Sequence, residues 1–292
     1  MNLSFLETMV AVLRHGSFAS AAVDRNLSPS AVSLQMRRLE DYFRQPLFDR
    51  SSQQVRPTAF AHELAQVFSS TLQTMEDLRY RTSHAVEGEV KLGVTESMQA
   101  LVLPPALTML RSKYPQLVVK PVRGRSQTLI DQVKSGEIDA AVVVQSPNGG
   151  ARRLRWDLLL QEPLVLIVPP DAPEDSLEAL LRKHELIRFE GSANVGRLGM
   201  RFLAAKGIKP RGNVELQSVL PIVALVSSGL GVSIAFMPDR RSYSGYPVRE
   251  ISLGADAPQL KVAFVTRPQQ DDSRAVQAVR EAMFEAVAQR EE

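Results

Sequence analysis

Residues 17–58 read SFASAAVDRNLSPSAVSLQMRRLEDYFRQPLFDRSSQQVRPT, and they decide the fold of the N-terminal part of the chain. Ser17 is a good N-cap for a short helix, and Ser28 followed by Pro29 is an N-cap with proline at the first helical position. Apolar residues upstream recur at helical spacing, and Gly16 stands after them where a helix end favours a left-handed residue. The pattern therefore predicts three successive helices.

The third predicted helix has an apolar face, formed by Val32, Met36 and Leu39, and a polar face opposite it. This arrangement is typical of a helix-turn-helix. After the helix, Leu47 and Phe48 predict a buried strand, and a polar hairpin follows as far as Thr58, which could cap the next helix. Such a hairpin would be the wing of a winged helix-turn-helix.

The candidate DNA-binding residues lie on the third helix and in the wing. Short hydroxyl and amide side chains can approach base edges in the major groove, and guanidinium groups can hold phosphates or enter the minor groove. The candidates are Ser28, Pro29, Ser30, Ser33, Leu34, Gln35, Arg37, Arg38, Arg50, Gln53 and Arg56.

The residues alone also allow three ordinary amphipathic helices whose charges form a solvated face. The run nevertheless closely resembles the N-terminal domain of LysR-type transcriptional regulators. The motifs GSF, AA, SxSAVSxQ, RxLE and LFxR, with a threonine after the wing, occur here in that order between Gly16 and Thr58. This chain departs from the usual pattern at Leu34, at Gln53 and Gln54, and at Pro57.

Composition limits the function classes. The chain has 292 residues, so two or more hydrophobic cores are expected. Its sequence pI is near 9.2. Residues 1–58 contain seven arginines and five acidic residues, a net charge of only +2, so placement rather than net charge indicates nucleic-acid binding. The absence of cysteine excludes disulfides, thiolate zinc sites and a thiol-based redox switch.

A long helix is predicted from Ala59 to about Ser83, where no glycine or proline occurs and apolar residues recur at spacings of three and four. The apolar stripe could pack on its own domain, but we favour pairing with a second copy. The resemblance implies the same: a linker helix that joins two subunits, so that two recognition helices reach a pseudo-palindromic operator. We expect three parts: residues 1–58, a winged helix-turn-helix; residues 59–87, linker helix and hinge; residues 88–292, a two-lobed effector-binding domain.

The second half alternates short apolar runs with helical periodicity, which is typical of parallel α/β structure. One unit begins at VKLGV and a second near Leu164, so two Rossmann-like lobes with a cleft between them are expected. In open α/β sheets, ligands bind beyond the carboxyl ends of the strands. The polar residues at those strand ends, which are individually also good helix caps, are Thr95, Ser97, Ser126, Gln127, Gln145, Ser192, Asn194, Gln217 and Ser218.

These hydroxyls, amides and helix N-termini suit a small carboxylate or another anion, and Arg125 and Arg197 could add charge if they turn inward. The basic run from Arg152 to Arg155 is expected to be a solvated loop or a subunit contact. This half of the chain resembles the effector-binding domain of the same family, which is similar to periplasmic solute-binding proteins. Neither GxxxxGK nor GxGxxG occurs, and neither His-Glu pair has a second histidine four residues later, so no cofactor or metal is expected.

The sequence therefore predicts a ligand-responsive, DNA-binding transcriptional regulator of the cytoplasm. An enzyme is not expected, because the only obvious acid at the cleft, Glu96, has no histidine beside it. A solute-binding protein without regulatory role is the alternative. Residues 219–238 are apolar but are interrupted by Ser and Gly, so a helix, a turn and a strand are expected rather than a membrane span. The expected partners are double-stranded DNA, a small-molecule effector, further copies in a homodimer or homotetramer, and RNA polymerase.

Overall fold

The computed structural model describes residues 2–49, 56–81, 86–145, 153–191 and 193–291. Side chains are described for these ranges except residues 70, 72–81, 271 and 291. Two compact units are found, one built on residues 1–79 and the other on residues 80–134 and 138–292.

Three short helices, a two-stranded hairpin and a long helix make up the first unit. The predicted end of the first helix at Gly16 and the predicted starts of the three helices that follow are confirmed. Gly16 has φ 69° and ends the first helix in the left-handed region, where a residue without a Cβ atom is least strained. The elements are α1 Leu3–His15, α2 Phe18–Asp24, α3 Pro29–Phe43, β1 Phe48–Asp49, β2 Arg56–Pro57 and α4 Ala59–Arg81.

Side-chain caps fix the starts of helices α2, α3 and α4. The Ser17 hydroxyl accepts a hydrogen bond from the Ser20 N–H at 3.1 Å, and the Ser28 hydroxyl accepts one from the Ala31 N–H at 3.1 Å. Thr58 accepts from the Ala61 N–H at 3.2 Å and donates to the Pro46 carbonyl at 2.9 Å. Each cap satisfies one of the N–H groups that a helix start leaves without a partner.

The core of the first unit is formed by the apolar faces of its helices. Val32, Met36 and Leu39 of α3 are fully buried, as the spacing predicts. They pack with side chains from the other helices and the hairpin: Leu6, Met9, Ala11, Val12, Ala21, Ala22, Leu47, Phe48, Ala61 and Phe68.

The wing is an antiparallel pair in which Phe48 lies opposite Pro57 and Asp49 opposite Arg56. Its base is held by Glu40 of α3, whose Oε1 accepts hydrogen bonds from the N–H groups of Leu47 at 3.0 Å and Phe48 at 3.2 Å. The predicted contacts Arg50 and Gln53 lie outside the described residues.

The predicted long helix is present as α4, which has 23 residues. The first part of its apolar stripe packs within the first unit, because Phe68 is buried in that core and Leu64 contacts it. These two residues therefore follow the alternative in which the stripe packs on its own domain. The later stripe residues, including Met75 and Leu78, have no described side chains.

The second unit contains two α/β lobes. The first lobe has a five-stranded sheet of order β4-β3-β5-β12-β6. In the second lobe, β7 lies between β10 and β11, and β8 pairs with β9. The elements are β3 Gly88–Val94, α5 Glu96–Lys113, β4 Leu117–Arg123, α6 Ser126–Ser135, β5 Ala140–Val144, β6 Arg155–Pro163, β7 Val165–Val168, α7 Leu177–Lys183, β8 Arg188–Phe189, α8 Asn194–Ala205, β9 Glu215–Leu216, α9 Val219–Ser227, β10 Ser233–Ala235, β11 Arg249–Ser252, β12 Gln259–Thr266 and α10 Arg274–Ala288.

The five-stranded sheet is mixed and the three-stranded sheet is antiparallel, whereas the alternation of strands and helices predicts parallel sheets. β3 is parallel to β4 and β5, but β12 returns from the second lobe and pairs antiparallel with both β5 and β6. β7 is likewise antiparallel to β10 and β11. The returning strand makes the lobes interdependent, and one continuous apolar core includes Val142 and Phe264 of the first lobe and Phe236 of the second.

The expectation of a solvated loop from Arg152 to Arg155 is wrong at its end, because Arg155 begins strand β6 and Leu154 is buried. Arg152 lies outside the described residues. The strand's alternating pattern is hard to recognise because β6 pairs with β12 across a bulge at Val262 and Ala263. A bulge shifts the side-chain alternation, and it leaves the consecutive residues Leu159 and Leu160 both buried. Helix α7 and strand β11 were also not predicted.

The apolar stretch 219–238 forms helix α9, a turn at Gly229 with φ 79°, and strand β10, as predicted. Across the described ranges, no helix is both long and apolar enough to span a membrane.

Candidate DNA interface and effector cleft

The outer face of α3 carries most of the predicted DNA-binding residues. The N-terminal turn and the middle of the helix present hydroxyl, apolar and guanidinium groups in succession. The exposed members are Ser28, Pro29, Ser30, Leu34, Arg37 and Arg38, while Ser33 is half-buried at the edge of this face.

Two of the predicted residues, Ser28 and Gln35, are less available to DNA because of their hydrogen bonds or their burial within the protein. The Ser28 hydroxyl caps α3 and lies 2.9 Å from the Ser30 hydroxyl, so Ser30 is the freer of the two for an outside partner. Gln35 is half-buried, and its Oε1 atom is buried without a hydrogen-bond partner among the described residues. Gln35 therefore lies away from the exposed face that Ser30 and Leu34 share.

The arginines flank this face. The Arg38 guanidinium lies 6.0 Å from the centre of the Phe5 ring, which directs Arg38 towards α1. Arg37 is exposed on the other flank, and Arg56 is exposed on strand β2 of the wing. Guanidinium groups bind phosphates, and the polar groups between them can meet base edges.

In the second unit, helix starts gather around the end of β5. The Ser126 hydroxyl at the start of α6 accepts from the Val144 N–H at 3.2 Å, and the Asn194 amide at the start of α8 donates to the Val144 carbonyl at 3.3 Å. Thr95, the N-cap of α5, donates its N–H to the Val142 carbonyl at 3.1 Å. The Asn194 contact crosses from the second lobe to the first.

A carboxylate from the first lobe reaches the start of α9. Glu96 accepts a hydrogen bond from the Ser218 hydroxyl at 2.5 Å, and Arg123 lies 3.6 Å from its other oxygen. Glu96 is in the first turn of α5, where its charge is stabilised by the helix dipole. The same side chain thus joins two helix N-termini and the end of β4.

A second carboxylate makes the reciprocal bridge. Glu190, which follows β8 in the second lobe, accepts from Arg125 of the first lobe at 3.0 Å and from the Gln217 amide at 2.6 Å. We call the Glu96 and Glu190 contacts together the interlobe clasp.

Tyr243 lies at the back of this charged region. Burial, followed by the nearby negative charges of Asp239 and Glu96, raises the pKa of Tyr243 to about 12. The residue is in a short 3-10 helix, Arg240–Tyr243, that packs in the core of the second lobe with Ile222. A neutral phenol is therefore kept within electrostatic range of the clasp at ordinary pH.

Hydrogen bonds at the end of β5 and between the lobes involve five of the predicted effector residues: Thr95, Ser126, Asn194, Gln217 and Ser218. Gln127 is not among them, because its amide is turned to Asp131 on the exposed surface of α6 at 3.1 Å. A hydrogen bond from Lys134, with one from Gln127, holds the pKa of that carboxyl below its ordinary value.

The other predicted residues have less defined roles. Ser97 and Gln145 are half-buried, and the backbone N–H of Gln145 donates to the Lys261 carbonyl at 2.8 Å. Arg197 is hydrogen-bonded to the Asn194 side chain. Ser192 lies outside the described residues.

Sequence reasoning missed Glu190, Arg123 and Tyr243. The first two stand at strand ends, which is the same signal that identifies the hydroxyl and amide candidates and Arg125. Tyr243 has no such signal, because it reaches the region from a segment that follows β10.

The comparisons with known proteins agree with this architecture. Residues 83–288 match the LysR substrate binding domain, and residues 3–62 match the bacterial regulatory helix-turn-helix protein family, lysR. A probable RuBisCO transcriptional regulator of Cyanidioschyzon merolae is 27% identical over an alignment of 295 positions, which covers 94% of this chain and 94% of that protein.

Two solved structures illustrate the fold. Full-length OxyR from Pseudomonas aeruginosa, in a variant with one cysteine replaced by aspartate, has a TM-score of 0.76 at 21% identity, covering 97% of this chain and 94% of that one. Full-length CbnR, solved in complex with its target DNA, has a TM-score of 0.68 at 18% identity, covering 98% of this chain and 100% of that one. Because the substrate-binding family match alone spans more than half of the chain, the protein belongs to the LysR family of transcriptional regulators.

Proposed function

We propose that this regulator reads a pseudo-palindromic operator with α3 and that a small anion, most simply a carboxylate, modulates its binding from the cleft between the lobes. One observation carries the effector class. Four helices, α5, α6, α8 and α9, begin around the carboxyl ends of the strands that form the cleft. Helix N-termini present N–H groups and positive dipole ends, which attract anions.

The helix starts support this reading in a second way. Within the described residues, the N-caps of α5, α8 and α9, which are Thr95, Ala193 and Ser218, make no side-chain capping hydrogen bond. The N–H groups in the first turns of these three helices therefore keep hydrogen-bonding capacity that side-chain caps satisfy elsewhere in the chain. A ligand carboxylate is well suited to use it.

The interlobe clasp supports a mechanism by which a bound ligand could change DNA binding. Glu96 and Glu190 already hold Ser218, Gln217 and Arg125, so these two carboxylates occupy groups that an anionic ligand would bind. We infer that the ligand competes with them and changes how the lobes are joined. A ligand alters DNA binding only by its differential affinity for two arrangements, with typical couplings of about 1–3 kcal/mol.

The DNA side of the proposal rests on the exposed face of α3 and its flanking arginines. We assign DNA binding to residues 1–58, linkage and pairing to residues 59–87, and effector binding to residues 88–292. A symmetric dimer or tetramer would present α3 to two half-sites, and RNA polymerase is a further candidate partner. Because a regulator acts where the DNA is, we assign it to the cytoplasm.

The experiment is enrichment of sheared genomic DNA by the purified full-length protein at one fixed salt concentration, with and without a panel of small carboxylates. We expect one pseudo-palindromic site to be enriched and one carboxylate to change its occupancy. Salt-sensitive binding without a preferred site would contradict operator recognition. Specific binding that no carboxylate alters would contradict the effector class only.

A further inference from the structure

We propose that Leu34 determines sequence specificity by packing against the 5-methyl group of a thymine in the major groove. This inference rests on the proposed function, in which α3 is the helix that enters the groove.

Leu34 contributes little to the fold. The residue is 51% exposed, whereas the apolar residues that hold α3 in the unit, such as Val32 and Met36, are fully buried. It is the sixth residue of the 15-residue helix and so lies in the N-terminal half, where helix-turn-helix proteins read bases.

The neighbours of Leu34 are polar. Residues three or four apart on a helix share a face, with Cβ atoms about 5–6 Å apart. Ser30 therefore lies on one side of Leu34 along this face, and Arg37 and Arg38 lie on the other. The leucine is an apolar group set between a hydroxyl and two guanidinium groups.

Single exposed leucines are common on protein surfaces and by themselves indicate nothing. On a face that docks in the major groove, however, a leucine side chain is removed from solvent without gaining a hydrogen bond. Among the base edges of the major groove, only thymine presents a methyl group, and the groups that distinguish the other bases are hydrogen-bond donors or acceptors. Thymine is therefore the base whose apolar contact makes the burial of this side chain favourable.

The test replaces thymine by deoxyuridine, which lacks only that methyl group. A preferred site is first selected from random duplexes by the full-length wild type at fixed salt, and each thymine of the site is then replaced in turn. We expect one thymine in each half-site to matter, with affinity reduced about fourfold per half-site, which corresponds to the burial of one methyl group.

Leu34→Ala should bind the selected site more weakly and be insensitive to deoxyuridine at that position. Val23→Ala is the matched control, because Val23 is an 80% exposed apolar residue on α2 of the same unit. It should keep the wild-type response. Leu34→Arg should shift the preferred base at that position from thymine to guanine, since arginine pairs with the O6 and N7 acceptors of guanine.

Three results would overturn the inference. A selected site whose affinity does not depend on any thymine methyl group refutes it and leaves the regulator function intact. Equal deoxyuridine sensitivity in Leu34→Ala assigns the methyl contact to another residue. Failure to select any site refutes the proposed function together with this inference. The wild-type measurement with deoxyuridine decides the first case even if a variant does not fold.

Discussion

The Ser218 hydroxyl lies 2.5 Å from Glu96 Oε1, and this hydrogen bond joins the N-terminus of α9 in one lobe to that of α5 in the other. With the contacts of Glu190 it places two negative charges where helix dipoles and arginines favour an anion. Under the proposed function, a ligand that binds between the lobes has to displace or rearrange these two carboxylates.

The first prediction concerns this occupancy. Glu96→Gln keeps an acceptor for Ser218 but removes a charge that repels an anionic ligand. We expect the carboxylate that alters operator binding to bind about tenfold more tightly, on the order of 1.4 kcal/mol for a like charge at the cleft. Isothermal titration calorimetry measures this affinity. Glu281→Gln, at an exposed position on α10, is the control and should bind as the wild type does. Weaker binding of the ligand by Glu96→Gln would show that the Glu96 side chain helps to hold the ligand.

The second prediction concerns pH. The pKa of Tyr243 is raised from 10.0 to about 12 in the folded protein, so the folded state holds the phenolic proton more tightly than the unfolded state. The contribution of this proton to the free energy of unfolding is constant below pH 10 and is lost as the pH rises from 10 to 12. Compared with Tyr243→Phe, the wild type should lose about 2–3 kcal/mol of unfolding free energy across this range. Urea unfolding of both proteins at pH 9 and pH 12 measures the difference, and parallel pH profiles would contradict the buried phenol.

The third prediction separates a structural serine from a DNA-binding one. Ser28→Ala removes the N-cap of α3 and should lower the opening free energy of its first amides by about 1 kcal/mol. Ser30→Ala removes an exposed hydroxyl and should leave that quantity within about 0.5 kcal/mol while weakening discrimination between operator and random DNA. Hydrogen exchange of the full-length protein and a binding titration give the two readouts. Similar exchange in both variants would refute the distinction.

The fourth prediction concerns the base of the wing. Glu40→Ala leaves the N–H groups of Leu47 and Phe48 without their shared acceptor. This loss should lower the free energy of unfolding by about 2 kcal/mol. Those two amides should exchange faster, and DNA affinity should fall because the wing is no longer held against α3. Asp41→Ala, at the exposed neighbouring position, is the control and should change neither readout. Unchanged exchange in Glu40→Ala would mean that the hairpin is held by its strand pairing alone.

Much of the first unit could be predicted because its signals are local. The serine caps, Pro29 at the first helical position and Gly16 after the first helix act through hydrogen bonds and backbone angles within a few residues. The burial of Val32 and Met36 follows from helical spacing alone. Most strands of the second unit were also predictable, because each is a short apolar run between turn residues.

The remaining features depend on contacts that are distant in the sequence. Strand β6 was missed because the bulge opposite Val262 disturbs its alternation, and β12 joins the first lobe only because the chain returns from the second. The antiparallel pairing of β12 cannot be read from its composition, since strands of either direction bury similar apolar residues.

The sequence by itself determined the helix-turn-helix, the α/β alternation, and the polar residues at strand ends, because caps, turns and hydrophobic period are short-range effects. Only the tertiary structure decided which polar groups meet. Glu190 contacts Arg125 across 65 residues of sequence and Ser218 contacts Glu96 across 122. Such pairings are set by how two lobes pack and by which opposite charges then lie close together, and no local pattern carries that information.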